Sequence, residues 1–127
     1  MVGIINKLIA FFNQQFKMSV QASWDNHFAA FGAQNLDQIM ADYTENSVVR
    51  VYNFTKKEKS EFKGLDAIRG MFAGLFAELK DLSGLEAPVV DVDAEGKQVF
   101  LVWKCPTSGY TDVSDTFVFD DNFKINR

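Results

Sequence analysis

The sequence predicts an α+β domain in which helices pack on one face of a curved antiparallel sheet. Up to residue 79, most apolar residues recur at three- and four-residue spacings, which indicates amphipathic helices, apart from one β-branched stretch. From residue 85 onward the period changes to two, and turn-forming residues separate the alternating segments. Helices clustered early and strands clustered late are typical of this class.

Three helices are predicted in the main part of the chain. Ser19 can cap a helix over residues 20–32, and Asn35 can cap a shorter one over residues 36–43. A third helix follows the turn at Gly64 and covers residues 65–79. The apolar face of the first helix carries Val20, Trp24, His27, Phe28 and Phe31, and that of the third carries Ile68, Phe72, Leu75, Phe76 and Leu79.

Strands are predicted at 47–54, 85–94, 97–105 and 109–120, with a final strand opening at Phe123. In the fourth of these segments, alternation places Asp115 on the same face as Phe117 and Phe119. A carboxylate is therefore expected where a core or a cavity should be.

Residues 1–17 form a separate prediction, an accessory amphipathic helix ahead of a domain at 18–127. Its apolar residues are Ile4, Ile5, Leu8, Ile9, Phe11, Phe12 and Phe16. Lys7 interrupts the apolar run, which argues against a secretory signal, and no segment reaches the length of a membrane span. We therefore expect a cytoplasmic protein.

Composition narrows the possible partners and cofactors. The chain has 127 residues, enough for one domain with its own core, and 13 phenylalanines favour an aromatic core or cavity. A net charge of −4 with scattered Lys and Arg argues against nucleic acid. Cys105 is the only cysteine and His27 the only histidine, so one chain cannot assemble a His/Cys zinc site, and we expect no cofactor.

The order of parts resembles the nuclear transport factor 2-like superfamily, especially its SnoaL-like and ketosteroid isomerase-like branches. The resemblance rests on "WDNHFAAFGAQNLDQIMADYTENSVV", then "GLDAIRGMF", then long strands ending in "DTFVFDDNFKI". It covers about residues 19–127 and implies a cone-shaped fold, a strongly bent sheet wrapped around helices with a pocket among them. Members include isomerases, dehydratases, cyclases and non-catalytic modules, so the fold alone leaves function open.

Comparison with ketosteroid isomerases implies roles for individual residues. His27 falls where that family carries its oxyanion-hole tyrosine, and Asp115 falls at its oxyanion-hole aspartate. Val51 occupies the general-base position, so that isomerisation mechanism is not expected. Asp115 can be a neutral acid in an apolar site, or His27 and Asp115 can form an ion pair, and the sequence does not choose between them.

We therefore predict a homodimeric, cofactor-independent domain that binds a small, largely apolar molecule, with His27 and Asp115 as candidate catalytic residues. The apolar residues on both faces of strand 97–105 suggest dimerisation through the sheet. The alternative is a non-catalytic dimerisation or interaction module whose interior is filled. The predicted ligand-binding residues are Trp24, Phe28, Phe31, Tyr43, Val51, Phe72, Phe76, Trp103, Tyr110 and Phe117.

Overall fold

The computed structural model describes residues 19–127, which form three α-helices and five β-strands. The strands are antiparallel and fall into a two-stranded and a three-stranded sheet. The predicted α+β class is confirmed. The predicted helix at 1–17 lies outside the described residues. Within them, no helix is both long and apolar enough to cross a membrane.

The first two helices begin at the predicted capping residues. Helix α1 covers Val20–Ala33, and the Ser19 hydroxyl accepts a hydrogen bond of 3.0 Å from the Ala22 amide. Helix α2 covers Leu36–Met40, and the Asn35 side chain accepts from the Gln38 amide at 3.0 Å. Each cap satisfies an amide that has no partner inside its helix.

Helix α2 ends at Met40, and the prediction that it continues to Tyr43 is wrong. The amides of Asp42 and Tyr43 donate to carbonyls three residues back, which is a tight turn rather than a continuing α-helix. Tyr43 then forms an isolated parallel bridge with Ile125. Pairing with the distant C-terminal segment therefore overrides the local helical pattern.

A hairpin and the third helix follow. Strand β1, Val48–Asn53, pairs with strand β2, Glu58–Lys63, and helix α3 covers Gly64–Glu78. Gly64 joins strand to helix with φ of +82°, a conformation that favours glycine.

The larger sheet has the order β3–β4–β5, with β3 at Glu86–Asp93, β4 at Gln98–Cys105 and β5 at Tyr110–Val118. Every second residue of β4 is buried, and Leu101 pairs directly with Asp115 on β5. Cross-strand partners share a face, so Asp115 points to the buried side, as alternation predicted.

The other face of this sheet is not covered by the described chain. Phe100 on β4 is 43% exposed and Val89 on β3 is 42% exposed. Burial of both faces of β4, expected from its apolar sequence, is thus not achieved by residues 19–127.

The predicted strand from Phe123 is not formed. Ile125 makes only isolated bridges, with Phe119 and Tyr43. The reason is local, because the Asp120 side chain accepts hydrogen bonds from the amides of Asn122 and Lys124 at 2.8 and 3.0 Å. Such side-chain bonds favour a turn over an extended strand.

Candidate functional site

A cavity lies between the helices and the inner sides of the two sheets. Its volume is about 2140 Å³. Residues at the hairpin tip contribute to its lining, including Phe54, which is 95% exposed. The space is therefore a wide trough open to solvent, larger than the roughly 300–1,000 Å³ typical of small-ligand pockets.

The predicted site residues converge on this cavity with one exception. Phe76, predicted to bind ligand, does not line the cavity. Its ring packs against Phe31 and Phe72 instead. The remaining predicted residues all contribute to the lining: Trp24, His27, Phe28, Phe31, Tyr43, Val51, Phe72, Trp103, Tyr110, Asp115 and Phe117.

His27 on α1 is enclosed by aromatic rings. The Trp24 ring stacks on it at 5.6 Å between centroids, and Phe117 and Phe72 present edges at 5.0 and 6.0 Å. The side chain is buried, and this burial lowers the pKa of His27 to about 3. The imidazole is therefore neutral at neutral pH, with one donor nitrogen and one acceptor nitrogen.

Asp115 has a hydrogen-bond partner of its own. The indole nitrogen of Trp103 donates to its Oδ2 at 2.8 Å. Burial raises the pKa of Asp115, and the Trp103 hydrogen bond opposes that rise. His27 and Asp115 share the cavity, but no hydrogen bond joins them among the contacts of residues 19–127.

The carboxylate beside His27 belongs to Asp42, which the sequence analysis missed. Its Oδ2 is 3.8 Å from His27 Nδ1, and both side chains are buried. Burial raises the pKa of Asp42 to about 6, although a hydrogen bond from Asn26 and the charge of Lys124 oppose the shift. No spacing in the sequence indicates this contact, because it depends on the early end of α2.

Two tyrosines add protonated hydroxyl groups to the cavity. Burial raises the pKa of Tyr43 well above its usual value, and the charges of Asp42 and Asp115 add to the effect. Tyr110 donates to the carboxylate of Glu78, which was not predicted as a site residue. Burial, and to a lesser extent this hydrogen bond, raises the pKa of Tyr110 to about 12. Both phenols therefore remain neutral hydrogen-bonding groups at physiological pH.

Val51 lines the cavity from β1, opposite Ser60 on β2, and supplies no proton acceptor. Within residues 19–127, no group of three or more His, Cys, Asp or Glu side chains is arranged to hold a metal ion. The lining also includes the basic side chains of Arg50, Lys56, Lys80 and Arg127, so the cavity carries titratable groups of both signs.

Fold and site together define an α+β domain with a wide, open cavity in which His27 and Asp115 lie among aromatic side chains. The model of the SnoaL-like domain family matches residues 24–126, so the chain belongs to that family. This confirms the resemblance to the nuclear transport factor 2-like superfamily. No curated protein matches the sequence.

Solved structures with similar folds have little sequence in common with this chain. A protein of unknown function with a cystatin-like fold from Methylobium petroleophilum PM1 has a TM-score of 0.64 and 11% identity, over 87% of this chain and 72% of that one. A putative polyketide cyclase from Sinorhizobium meliloti has a TM-score of 0.60 and 16% identity, over 85% and 89%. SalBIII, an epoxide hydrolase/cyclase-like enzyme of pyran ring formation in polyether salinomycin, has a TM-score of 0.61 and 18% identity, over 84% of each chain.

Proposed function

We propose that the cavity binds a small, largely apolar molecule and that His27 and Asp115 act on it as polar, proton-exchanging groups. The observation that carries this proposal is that these two residues, distant in sequence, line one aromatic cavity. The space that both residues line is open and not filled by side chains, which argues against the alternative of an interaction module with a filled interior.

The two groups suit different roles in this proposal. Asp115 has a raised pKa, so it can hold a proton closer to neutral pH than an ordinary carboxyl group and exchange it with a bound carbonyl compound. His27, with a pKa of about 3, is a weak base that accepts a hydrogen bond from a ligand hydroxyl. Together they fit a cofactor-independent isomerase, dehydratase or cyclase type of reaction.

Two of the structurally similar proteins are compatible with this class. The Sinorhizobium meliloti protein is a putative polyketide cyclase, and SalBIII is described in ring formation. The absence of a proton acceptor at Val51 argues for a reaction other than steroid isomerisation.

Asp115→Asn is expected to weaken ligand binding by about tenfold or more, while the free energy of unfolding changes by less than about 1 kcal/mol. The amide keeps an oxygen that can accept a hydrogen bond from Trp103. Its N–H is a much weaker acid than a carboxyl O–H, so it cannot transfer a proton to a bound carbonyl group. Binding of aromatic ketones and hydroxyketones, beginning with 2-acetonaphthone, can be measured by isothermal titration calorimetry.

Glu95→Gln is the matched control, because Glu95 is an exposed carboxylate in the turn between β3 and β4 and does not line the cavity. It should leave both binding and stability unchanged. If Asp115→Asn reduced stability and binding to the same degree, the carboxyl group would have a structural role alone.

We also propose that a second copy of the chain covers the outer face of the β3–β5 sheet. Exposed Phe100 and Val89 lie on this face, and Val89 pairs with Val102 across the strands. Apolar side chains at neighbouring positions of an otherwise solvated antiparallel sheet are typical of an interface between subunits.

Phe100→Lys should convert the dimer to a monomer at micromolar concentration, because it removes an apolar ring and adds an ammonium group that association would desolvate, even with Asp91 opposite it on β3. Analytical ultracentrifugation would measure this change. Phe54→Lys is the control, since Phe54 is an exposed phenylalanine on the hairpin. A monomeric wild-type protein would contradict the proposed interface.

A further inference from the structure

Asp42 faces His27 in a way that bears on the proton of the imidazole. Oδ2 of Asp42 lies 3.8 Å from His27 Nδ1, and the exposed fractions of the two residues are 5% and 4%. Nδ1 is sealed from solvent and has no hydrogen-bond partner among the described residues. Most buried polar atoms in proteins have a hydrogen-bond partner, so an unpaired buried nitrogen is unusual.

Other residues hold the Asp42 carboxylate in place. Asn26 donates from Nδ2 to Asp42 Oδ2 at 3.0 Å and to the Gln38 carbonyl at 3.1 Å. Gln38 returns a hydrogen bond from Nε2 to Asn26 Oδ1 at 3.1 Å. The Ile125 amide donates to the Asp42 carbonyl at 2.7 Å. The carboxylate is thus held by Asn26, which Gln38 orients, while the C-terminal segment fixes the backbone of Asp42.

We propose that Asp42 is a positioning residue that selects the Nδ1–H tautomer of His27 and leaves Nε2 as the acceptor directed to the cavity. A carboxylate only accepts hydrogen bonds, and a neutral imidazole carries a single N–H. With the proton on Nδ1, the N–H dipole points to the negative charge. With the proton on Nε2, the Nδ1 lone pair would face that charge in a buried setting, where the repulsion is large.

The distance of 3.8 Å is longer than a hydrogen bond, so the selection is electrostatic. The other charged and titratable groups nearby do not compete. Lys124 lies on the Asp42 side and donates to the Ala41 carbonyl, and Asp115 is bonded to Trp103. Tyr43, whose ring is 6.0 Å from the imidazole, is neutral.

The role of Nε2 toward a ligand rests on the proposed function, whereas the tautomer is a property of the free protein. His27 is the only histidine, so the full chain labelled with ¹⁵N-histidine has a single imidazole. Long-range ¹H–¹⁵N correlation spectra at pH 8 identify the protonated nitrogen directly.

In the wild-type protein, Nδ1 should be protonated and Nε2 unprotonated. Asp42→Asn should reduce the ratio of the two tautomers by about tenfold or more, because a neutral amide can face either form. Asp115→Asn should leave the ratio unchanged. A wild-type spectrum with the proton on Nε2 overturns the inference even if Asp42→Asn fails to fold, and so does an unchanged ratio in a folded Asp42→Asn protein.

Failure of the ligand-binding proposal would look different. The Nδ1–H tautomer would then be present, but 2-acetonaphthone and its hydroxyl derivatives would leave the Nε2 signal unchanged.

Discussion

Replacing Phe72 by alanine is expected to lower the free energy of unfolding by about 3 to 5 kcal/mol. Phe72 is 5% exposed, and its ring lies 5.6 to 6.0 Å from the rings of Tyr43, Phe76 and His27. Truncation removes these contacts and leaves a void that the surrounding aromatic rings can only partly fill. Although Phe72 borders the cavity, its main contribution is therefore to the core.

Phe28→Ala is the matched control for this prediction. Phe28 also lines the cavity, but it is 41% exposed, and its ring packs against Trp24 at 5.8 Å. Its truncation should cost less than about 1 kcal/mol. Urea denaturation followed by the fluorescence of Trp24 and Trp103 measures both variants. Equal losses would mean that Phe72 is not the core residue the structure indicates.

The second large effect concerns the dependence of stability on pH. Folding lowers the pKa of His27 from 6.5 to about 3. Between these pH values the imidazole is protonated in the unfolded chain and neutral in the folded protein. Above pH 6.5 the imidazole is neutral in both states and costs no stability. As the pH falls from 6.5 toward 3, the free energy of unfolding decreases by about 1.4 kcal/mol per pH unit.

Asp42 acts in the opposite direction. Its pKa is raised from 3.8 to about 6 by folding, so the folded carboxyl group holds a proton that the unfolded one has released. Stability therefore increases as the pH falls from about 6 to about 4, at the same rate per pH unit. In the wild-type protein the contributions of His27 and Asp42 offset each other over this range.

Removing either residue should expose the contribution of the other. Between pH 6 and pH 4, Asp42→Asn should lose about 2 kcal/mol of stability relative to wild type, and His27→Gln should gain about 2.5 kcal/mol. Urea denaturation of the three proteins at several pH values provides the comparison, because titration of the remaining carboxyl groups is common to all of them. Parallel profiles for the three proteins would refute the two pKa shifts.

The contact between Asp42 and His27 also explains why the candidate site could be predicted only in part. The alternation that places Asp115 beside Phe117 is a local property of a strand, so it could be inferred from the residues alone. The partner of Asp115 is Trp103, twelve residues away on the adjacent strand. The approach of Asp42 to His27 has no such local signal.

Local chemistry in the sequence determined the starts of α1 and α2 through Ser19 and Asn35, and the inward direction of Asp115. These features arise from interactions over three or four residues or from the two-residue period of a strand. Only the tertiary structure decided that α2 stops at Met40 and that Asp42 lies beside His27. The Ile125 amide bonds to the Asp42 carbonyl, and Ile125 bridges Tyr43, so residues more than eighty positions apart set this geometry. Long-range contacts of this kind outweigh the weak local preference for another turn of helix.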